Sequence, residues 1–167
     1  MNQIANFEKV SFAQFATDAE QFSQVDIDNL NDKYNNICLP IRATSGSAGY
    51  DFYSPFDITI NPGETVLIPT GIRCWINEGD WVLMIFPRSS LGFKYQLCLA
   101  NTVGIIDSDY YYAKNEGHIM IKLVNRGDKT VEIKTGDRFV QGIFFPYGVT
   151  INDDTTAVRT GGFGSTN

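Results

Sequence analysis

The sequence predicts a mostly β-structured domain, such as a sandwich, barrel or jelly roll, with a short helical segment in front of it. From residue 37 onward, short apolar runs alternate with turn sequences, and Val, Ile, Phe, Tyr and Trp fill the runs. Helical periodicity is confined to the first 36 residues, so strands and helices do not alternate as in a doubly wound α/β fold. The 167 residues, 43% of them hydrophobic, suffice for one domain with its own core.

The first predicted element is a helix that begins after Ser11, whose hydroxyl can cap a helix N-terminus. Five apolar residues then recur at helical spacing: Phe12, Phe15, Ala16, Ala19 and Phe22. We interpret this stripe as a docking face, because an amphipathic helix buries its apolar side. A second short helix is predicted over residues 26–33. We expect residues 1–36 to form an N-terminal helical extension packed on the main body.

The remaining elements are predicted to be strands, each introduced by a turn sequence rich in Gly, Asn or Asp. Three examples are residues 61–63 before 65–69, residues 77–80 before 81–86, and residues 134–137 before 138–145. The β-structured core is expected to span residues 37–157, and a Gly-rich C-terminal segment covers residues 158–167.

Composition and charge exclude several classes of protein. A net charge of −6 and a pI near 4.6 argue against a nucleic-acid partner, although a few arginines can still bind a nucleotide locally. The longest apolar run, residues 81–86, is far shorter than the roughly 20 residues of a membrane-spanning helix. The first residues have no pattern of a secretory signal, and the odd number of cysteines (Cys38, Cys74 and Cys98) indicates reduced thiols in a cytoplasm.

A phosphate site is one interpretation of the segment Pro87-Arg88-Ser89-Ser90-Leu91-Gly92, which follows a very apolar strand. A guanidinium, two hydroxyls and turn backbone at the end of a strand suit phosphate oxygens. An ordinary turn with a surface arginine is the alternative.

Two carboxylates follow another β-branched run, at Asp107 and Asp109, and the two-residue spacing points them the same way. They can form a direct Mg²⁺ site, a general base with a structural acid, or a solvated turn. Three successive tyrosines come next, Tyr110 to Tyr112, and suggest the flank of a hairpin. The only histidine, His118, has no obvious partner in the sequence, so a Ser-His-Asp triad is not expected.

Two further segments carry polar or aromatic groups suited to a ligand. Gln141 lies in the strand after the turn Gly136-Asp137, and the Gly-rich C-terminal segment carries Arg159 and Phe163. Glycines let backbone N–H groups approach phosphate, and Phe163 offers a flat face for a base. A polar sheet residue and a disordered terminus are the alternatives.

Together, and in this order, five motifs resemble those of the trimeric dUTP pyrophosphatases, the dUTPase family. They are Ala48-Gly49-Tyr50-Asp51-Phe52, PRSSLG at 87–92, GIIDSDY at 104–110, GDRFVQ at 136–141 and GGFGST at 161–166. The resemblance covers residue 37 to the C-terminus. It implies a jelly-roll fold, a homotrimer with three active sites at subunit interfaces, and Mg²⁺-assisted hydrolysis of dUTP to dUMP and pyrophosphate. That reaction keeps uracil out of DNA and supplies dUMP for dTMP synthesis.

The resemblance also implies roles for individual residues. Asp107 matches the general base that deprotonates a water for in-line attack on the α-phosphorus. The matches to phosphate-binding positions are Arg88, Ser89, Ser90, Gln141, Arg159 and Ser165. Mg²⁺ would be held mainly by the triphosphate and waters, with Asp51 as an outer-shell partner. The resemblance therefore favours a direct metal site at Asp107 and Asp109 less than the spacing of these residues alone does.

Further matches concern the base and the sugar. The matched positions are Asn101, Gly104, Ile105, Ile106 and Met120 for uracil, Tyr110 under the deoxyribose, and Phe163 as the tail aromatic over the base. A site whose buried groups pair with uracil leaves groups unpaired against cytosine. The Tyr110 ring would leave no room for a 2′-hydroxyl.

The sequence departs from the family pattern at several places. Ser90 stands where Gly is common, residues 111–116 are inserted, Arg159 is one residue closer to Phe163 than in many relatives, and residues 1–36 lie outside the common core. Two alternatives to a plain dUTPase are a dCTP deaminase of the same fold and a dUTPase with an added regulatory protein partner. Such a partner would dock on the inserted segment or the N-terminal helix.

Overall fold

The core consists of antiparallel strands in the computed structural model, which describes residues 3–22, 24, 29–77, 80–159 and 161. The strands are β1 Ala5–Lys9, β2 Ile41–Arg42, β3 Tyr50–Tyr53, β4 Ile58–Ile60, β5 Thr65–Pro69, β6 Ile72–Ile76, β7 Trp81–Pro87, β8 Leu97–Leu99, β9 Gly104–Ile106, β10 Met120–Asn125, β11 Val131–Ile133 and β12 Arg138–Pro146. The main sheet has the order β2-β3-β12-β7-β9, and a second sheet has the order β5-β10-β8. The pairs β11-β4 and β1-β6 complete the framework. The prediction of a mostly β fold is confirmed.

The three strands predicted from turn sequences form where the sequence places them. β5 has the predicted bounds, and β7 and β12 each extend one residue further. Two of the turns need glycine, since Gly63 and Gly136 have φ of +79° and +85°. Burial alternates along the short strands, as in β4 and β11, so each strand presents one face to the core.

Helix α1, Phe12–Ala19, confirms the first predicted helix. The Ser11 hydroxyl accepts a hydrogen bond from the Gln14 N–H at 3.1 Å, which is the predicted cap. Phe15 is fully buried and its ring stacks on Phe56 at 5.8 Å between centroids. The stripe is not buried throughout, because Phe12 in the first turn keeps 40% of its surface exposed.

Helix α2, Leu30–Asn35, lies later than the predicted second helix, and residues 25–28 are outside the described residues. A third helix, α3, spans Ser89–Tyr95, and a 3-10 helix spans Ser108–Tyr112. The sequence analysis predicted that the three tyrosines flank a hairpin, but in the structure they form the end of this 3-10 helix. None of the helices in the described part of the chain is long and apolar enough to cross a bilayer.

The N-terminal extension contains a strand that the sequence analysis did not predict. β1 pairs antiparallel with β6, from Ala5 opposite Ile76 to Lys9 opposite Ile72. Phe7 on this strand contacts the rings of Tyr50, Phe52 and Phe144. The five residues are too short a run to indicate a strand, and the hydrogen bonds that fix them come from a segment more than 60 residues away.

Candidate active site

One group of predicted residues meets where β3 and β12 pass the end of β7. Gln141 lies opposite Asp51 on β3 and opposite Phe86 on β7, which places it beside the turn that follows β7. The two carboxylate oxygens of Asp51 each contact an arginine: Nε of Arg88 at 3.3 Å and Nη1 of Arg138 at 3.2 Å. Two guanidinium groups around one carboxylate leave a net positive charge, which favours an anionic ligand.

Ser89 and Ser90 begin α3, so their backbone N–H groups lie in the first turn of that helix, where N–H groups have no partner within the helix. Asp51, Arg88, Ser89 and Gln141 line one cavity of about 350 Å³. Ser90 lines a neighbouring cavity of about 300 Å³, which Arg88 also borders. Of the predicted phosphate residues, Arg88, Ser89 and Gln141 therefore lie together, and Ser90 lies beside them.

Gly49 brings the backbone close to Gln141 in the first of these cavities. A Cβ on Gly49 would lie 2.5 Å from Oε1 of Gln141, so any other residue would displace that amide. The Gln141 amide nitrogen, Nε2, donates to the Pro87 carbonyl oxygen at 3.5 Å, so the amide is directed toward the turn after β7. The motif around Gly49 thus leaves room for Gln141 to face the cavity.

Sequence reasoning missed Arg138 as a member of this site. It sits in the GDRFVQ motif, beside residues already singled out, and its contact with Asp51 joins β12 to β3. The alternation of a regular strand places Arg138 and Gln141 on opposite faces, and the register shifts between Arg138 and Val140, which the motif alone does not indicate.

A second group of predicted residues lies around a larger cavity of about 590 Å³. Asn101, Gly104, Ile106 and Met120 line it. Ile105 does not line this cavity, and 45% of its surface is exposed. Asp18 and Gln21 of the N-terminal segment also line the cavity, and the sequence analysis did not predict their presence there.

Tyr110 is buried, with 4% of its surface exposed, and is hydrogen-bonded to Asn115, which lines this cavity. Its hydroxyl donates to the His118 carbonyl oxygen at 2.7 Å and accepts from Nδ2 of Asn115 at 2.8 Å. Burial raises the pKa of Tyr110 to about 12, so the hydroxyl is neutral and available as a donor at physiological pH.

Asp107 follows β9 directly, and its side chain is half exposed together with that of Asp109. The guanidinium of Arg159 contacts both: Nη2 lies 2.7 Å from Oδ2 of Asp107, and Nε lies 2.9 Å from Oδ1 of Asp109. The same guanidinium lies 5.7 Å from the centre of the Tyr110 ring. The two carboxylates therefore face the same guanidinium, which neutralises part of their charge. Asp107 precedes the 3-10 helix and Asp109 lies within it, so strand alternation is not what aligns them.

The two groups of residues lie at opposite ends of β7. In the β7–β9 pair Leu83 lies opposite Ile106, which places Asp107 level with Val82. Arg88 follows six residues further along the same strand direction, a separation of roughly 20 Å at about 3.3 Å per residue. A general base must lie within hydrogen-bond reach of a water that is itself about 3–3.5 Å from phosphorus. One chain alone does not bring Asp107 and Arg88 to the same phosphate group.

Two predicted residues, Phe163 and Ser165, lie outside the described residues.

Comparisons with known proteins agree on one family. The dUTPase family model matches residues 35–167. A deoxyuridine 5'-triphosphate nucleotidohydrolase from Lactococcus lactis is 45% identical over 139 residues, covering 80% of this chain and 92% of that protein. Its namesake from Actinobacillus pleuropneumoniae is 41% identical over 150 residues, covering 84% and 95%.

Solved structures give the same result. A crystal structure of a dUTPase from Streptococcus mutans has a TM-score of 0.65 and 36% identity, and the match covers 87% of this chain and 98% of that one. A dUTPase from phage phi11 of S. aureus has a TM-score of 0.65 at 19% identity, which is a likeness of fold.

Proposed function

Because this chain belongs to the dUTPase family and hydrolyses dUTP, we propose that Asp107 is its general base and that the two groups of residues described above bind one nucleotide between subunits. The fold is the jelly roll of that family. The observation that carries the residue assignment is the grouping of Asp51, Arg88, Ser89 and Gln141 around one cavity. The deaminase alternative is set aside, since the named relatives are dUTP nucleotidohydrolases.

In this proposal the phosphate groups bind where Arg88 and Arg138 flank Asp51. The guanidinium of Arg88 and the hydroxyls and N–H groups of Ser89 and Ser90 donate to phosphate oxygens, and the Gln141 amide donates a further hydrogen bond. Such donors hold the triphosphate in place and neutralise charge, which supplies most of the rate enhancement in phosphoryl transfer.

Asp107 then takes a proton from a water that attacks the α-phosphorus in line with the leaving group. The new P–O bond forms as the bond to the bridging oxygen breaks, so the products are dUMP and pyrophosphate. The Arg159 guanidinium forms an ion pair with the Asp107 carboxylate. We expect the triphosphate to compete for this guanidinium, which would place Arg159 on the phosphates and free Asp107 to accept a proton.

The base and sugar are assigned to the larger cavity. Main-chain groups of Asn101, Gly104 and Ile106 would pair with uracil, and Met120 would pack against it. The resemblance assigns the Ile105 main chain to the same role, although Ile105 does not line the cavity. A buried Tyr110 ring under the deoxyribose would exclude a 2′-hydroxyl. Phe163 would cover the base and Ser165 would contact the phosphates from the C-terminal segment.

The residues present fit an Mg²⁺ ion that keeps most of its water shell. Both oxygens of Asp51 already contact arginines, so a coordinated water is a better partner for its remaining lone pairs than the ion itself. Among the described residues, no group of three or more His, Cys, Asp or Glu side chains could hold a metal. We propose that Mg²⁺ enters with the triphosphate and neutralises its charge.

We propose the homotrimer that the family resemblance implies, and the separation of about 20 Å along β7 supports active sites shared between subunits. If Asp107 of one subunit meets Arg88 of the next in a closed ring, each interface completes one active site. The C-terminal segment, proposed as a unit over residues 158–167, would extend from the core at residues 37–157 to such a site.

The cytoplasm is the proposed location. Cys38, Cys74 and Cys98 are all free thiols, and burial raises the pKa of the Cys74 thiol. The negative net charge argues against a nucleic-acid partner.

The experiment that tests this function is pyrophosphate release from dUTP, dCTP, dTTP and UTP in parallel, with and without Mg²⁺. Release from dUTP alone, stimulated by Mg²⁺, supports the assignment of the cavity and of Tyr110. Equal release from dUTP and UTP would contradict the role of Tyr110, and equal release without Mg²⁺ would contradict the role of the ion.

A further inference from the structure

Two parts of this chain that depart from the family pattern lie against each other. One is the N-terminal segment, residues 3–22, which precedes the family match at residues 35–167, and the other is the inserted segment, residues 111–116. The Glu116 carboxylate accepts hydrogen bonds from the backbone N–H and the hydroxyl of Ser11, each at 2.7 Å. The Tyr111 hydroxyl donates to the Glu8 carboxylate at 2.8 Å. The inserted segment is therefore tied to both β1 and the start of α1.

A third contact between the two regions is buried. Oδ2 of Asp18, near the end of α1, lies 2.5 Å from Nδ1 of His118, whose side chain is fully buried. The other ring nitrogen, Nε2, accepts a hydrogen bond from the Gly71 N–H at 2.7 Å. Because a backbone N–H can only donate, the ring proton must be on Nδ1, and the imidazole is neutral and donates to Asp18. Rotating the ring would leave several buried groups without partners.

His118 connects this contact to the proposed sugar site. Its carbonyl oxygen accepts the Tyr110 hydroxyl, and Asn115 of the inserted segment donates to the same hydroxyl. The place of the Tyr110 ring therefore depends on where the backbone at His118 is held. The His118 side chain is held by Asp18, 100 residues earlier in the chain, and the His118 backbone N–H donates to the Asn115 carbonyl oxygen at 3.0 Å.

The N-terminal segment also reaches the cavity wall directly. Asp18 and Gln21 line the same cavity as Asn101, Gly104 and Met120. The wall is thus built partly from a segment outside the family match.

We propose that Asp18 is a positioning residue for Tyr110, and that through it the N-terminal segment sets the discrimination of the nucleotide site between deoxyribose and ribose. This inference rests on the proposed role of Tyr110 at the sugar. When Asp18 holds His118, Tyr110 stays against the 2′ carbon and excludes a hydroxyl there. Without the carboxylate, the His118 N–H loses its acceptor, the backbone shifts, and the ring no longer closes that space.

The test compares Asp18→Ala with the conservative Asp18→Asn and with Glu20→Ala, an exposed acidic residue at the end of the same helix. The assay gives kcat and KM for dUTP and for UTP. For Asp18→Ala we expect kcat/KM for UTP to rise about tenfold, because the 2′-hydroxyl is no longer excluded, with kcat/KM for dUTP changed by less than about threefold. The ratio of kcat/KM for dUTP over UTP should fall about tenfold. Asp18→Asn should restore both values, since its amide oxygen still accepts from Nδ1–H, and Glu20→Ala should match the wild type.

A second variant keeps the test decisive if Asp18→Ala does not fold. Glu116→Ala removes the contact with Ser11 at the surface and leaves the hydrogen bond from Gln14 to the Ser11 hydroxyl in place. It should lower the dUTP over UTP ratio in the same direction by a few-fold. A lowered melting temperature with an unchanged ratio in the folded variants would overturn the proposal, because it would give the contact a merely structural role. A wild-type chain that releases no pyrophosphate from dUTP would instead overturn the proposed function.

Discussion

Active-site sharing between subunits can be tested by mixing two inactive variants. Asp107→Asn removes the proposed base, and Arg88→Ala removes a phosphate ligand roughly 20 Å away along β7. If each site takes Asp107 from one subunit and Arg88 from its neighbour, a random equal mixture gives each site an intact base in half of cases. It gives an intact arginine in half of those. About one quarter of wild-type activity should therefore return in the unfractionated mixture, and about one third in trimers purified on both tags, since each mixed trimer holds one complete site of three.

The assay is pyrophosphate release per subunit from dUTP with Mg²⁺. The two variants carry different affinity tags and are refolded together, and sequential purification on both tags isolates the mixed oligomers. Variants mixed after folding, without exchange, serve as the control and should stay inactive. The recovery of activity does not determine the number of subunits, so light scattering is used to measure it. Mixed oligomers with no recovered activity would show that Asp107 and Arg88 serve one site within a chain, and the estimate from the register of β7 would be wrong.

Three further predictions concern the base, the C-terminal segment and stability. Asp107→Asn alone should bind dUTP within a few-fold of wild type by calorimetry yet lose nearly all turnover, and substantial residual hydrolysis would remove Asp107 from the role of base. Deleting residues 162–167 should lower kcat/KM at least about tenfold, since the proposed lid and phosphate contacts go with it, and an unaffected rate would contradict those assignments. Burial opposes ionisation of Asp18, but hydrogen bonds from His118 and Gln14 outweigh it and hold the pKa of that carboxyl below its usual range. A carboxyl whose pKa is lowered by folding stabilises the folded state. This contribution is fully present above the unfolded pKa of about 3.9 and is lost as the pH falls through the lower pKa of the folded state. The free energy of unfolding should thus fall more steeply below about pH 4 in the wild type than in Asp18→Asn, and equal slopes would refute this.

The parts of the fold that the sequence predicts are those with strong local patterns. α1 combines a capping serine with apolar residues at helical spacing, and β5, β7 and β12 each follow a turn sequence. β1 has no such pattern, since its five residues become a strand only through hydrogen bonds to β6. Local preference does not contain that information.

The same limit applies to the site. Motifs identified the residues of the phosphate cavity, because each motif is a short stretch of consecutive residues. The contacts that join distant segments were not predictable: Arg159 meets Asp107 across 52 positions, and His118, which the sequence left without a partner, meets Asp18 across 100. Only a folded chain reveals which charges and hydrogen-bond donors such residues face.

The pairing of β1 with β6 has a consequence for handling this protein. Of the strands that the structure describes, only β1 pairs with β6. A truncated chain that begins at residue 35, where the family match begins, would lack β1. The backbone of Ile72–Ile76 would then be an open edge that can pair with strands of other molecules. Such a truncation would remove Phe15 and Phe22 from the core as well. A truncated chain would therefore be prone to aggregate, and the activity of the domain is best studied with the N-terminal segment intact.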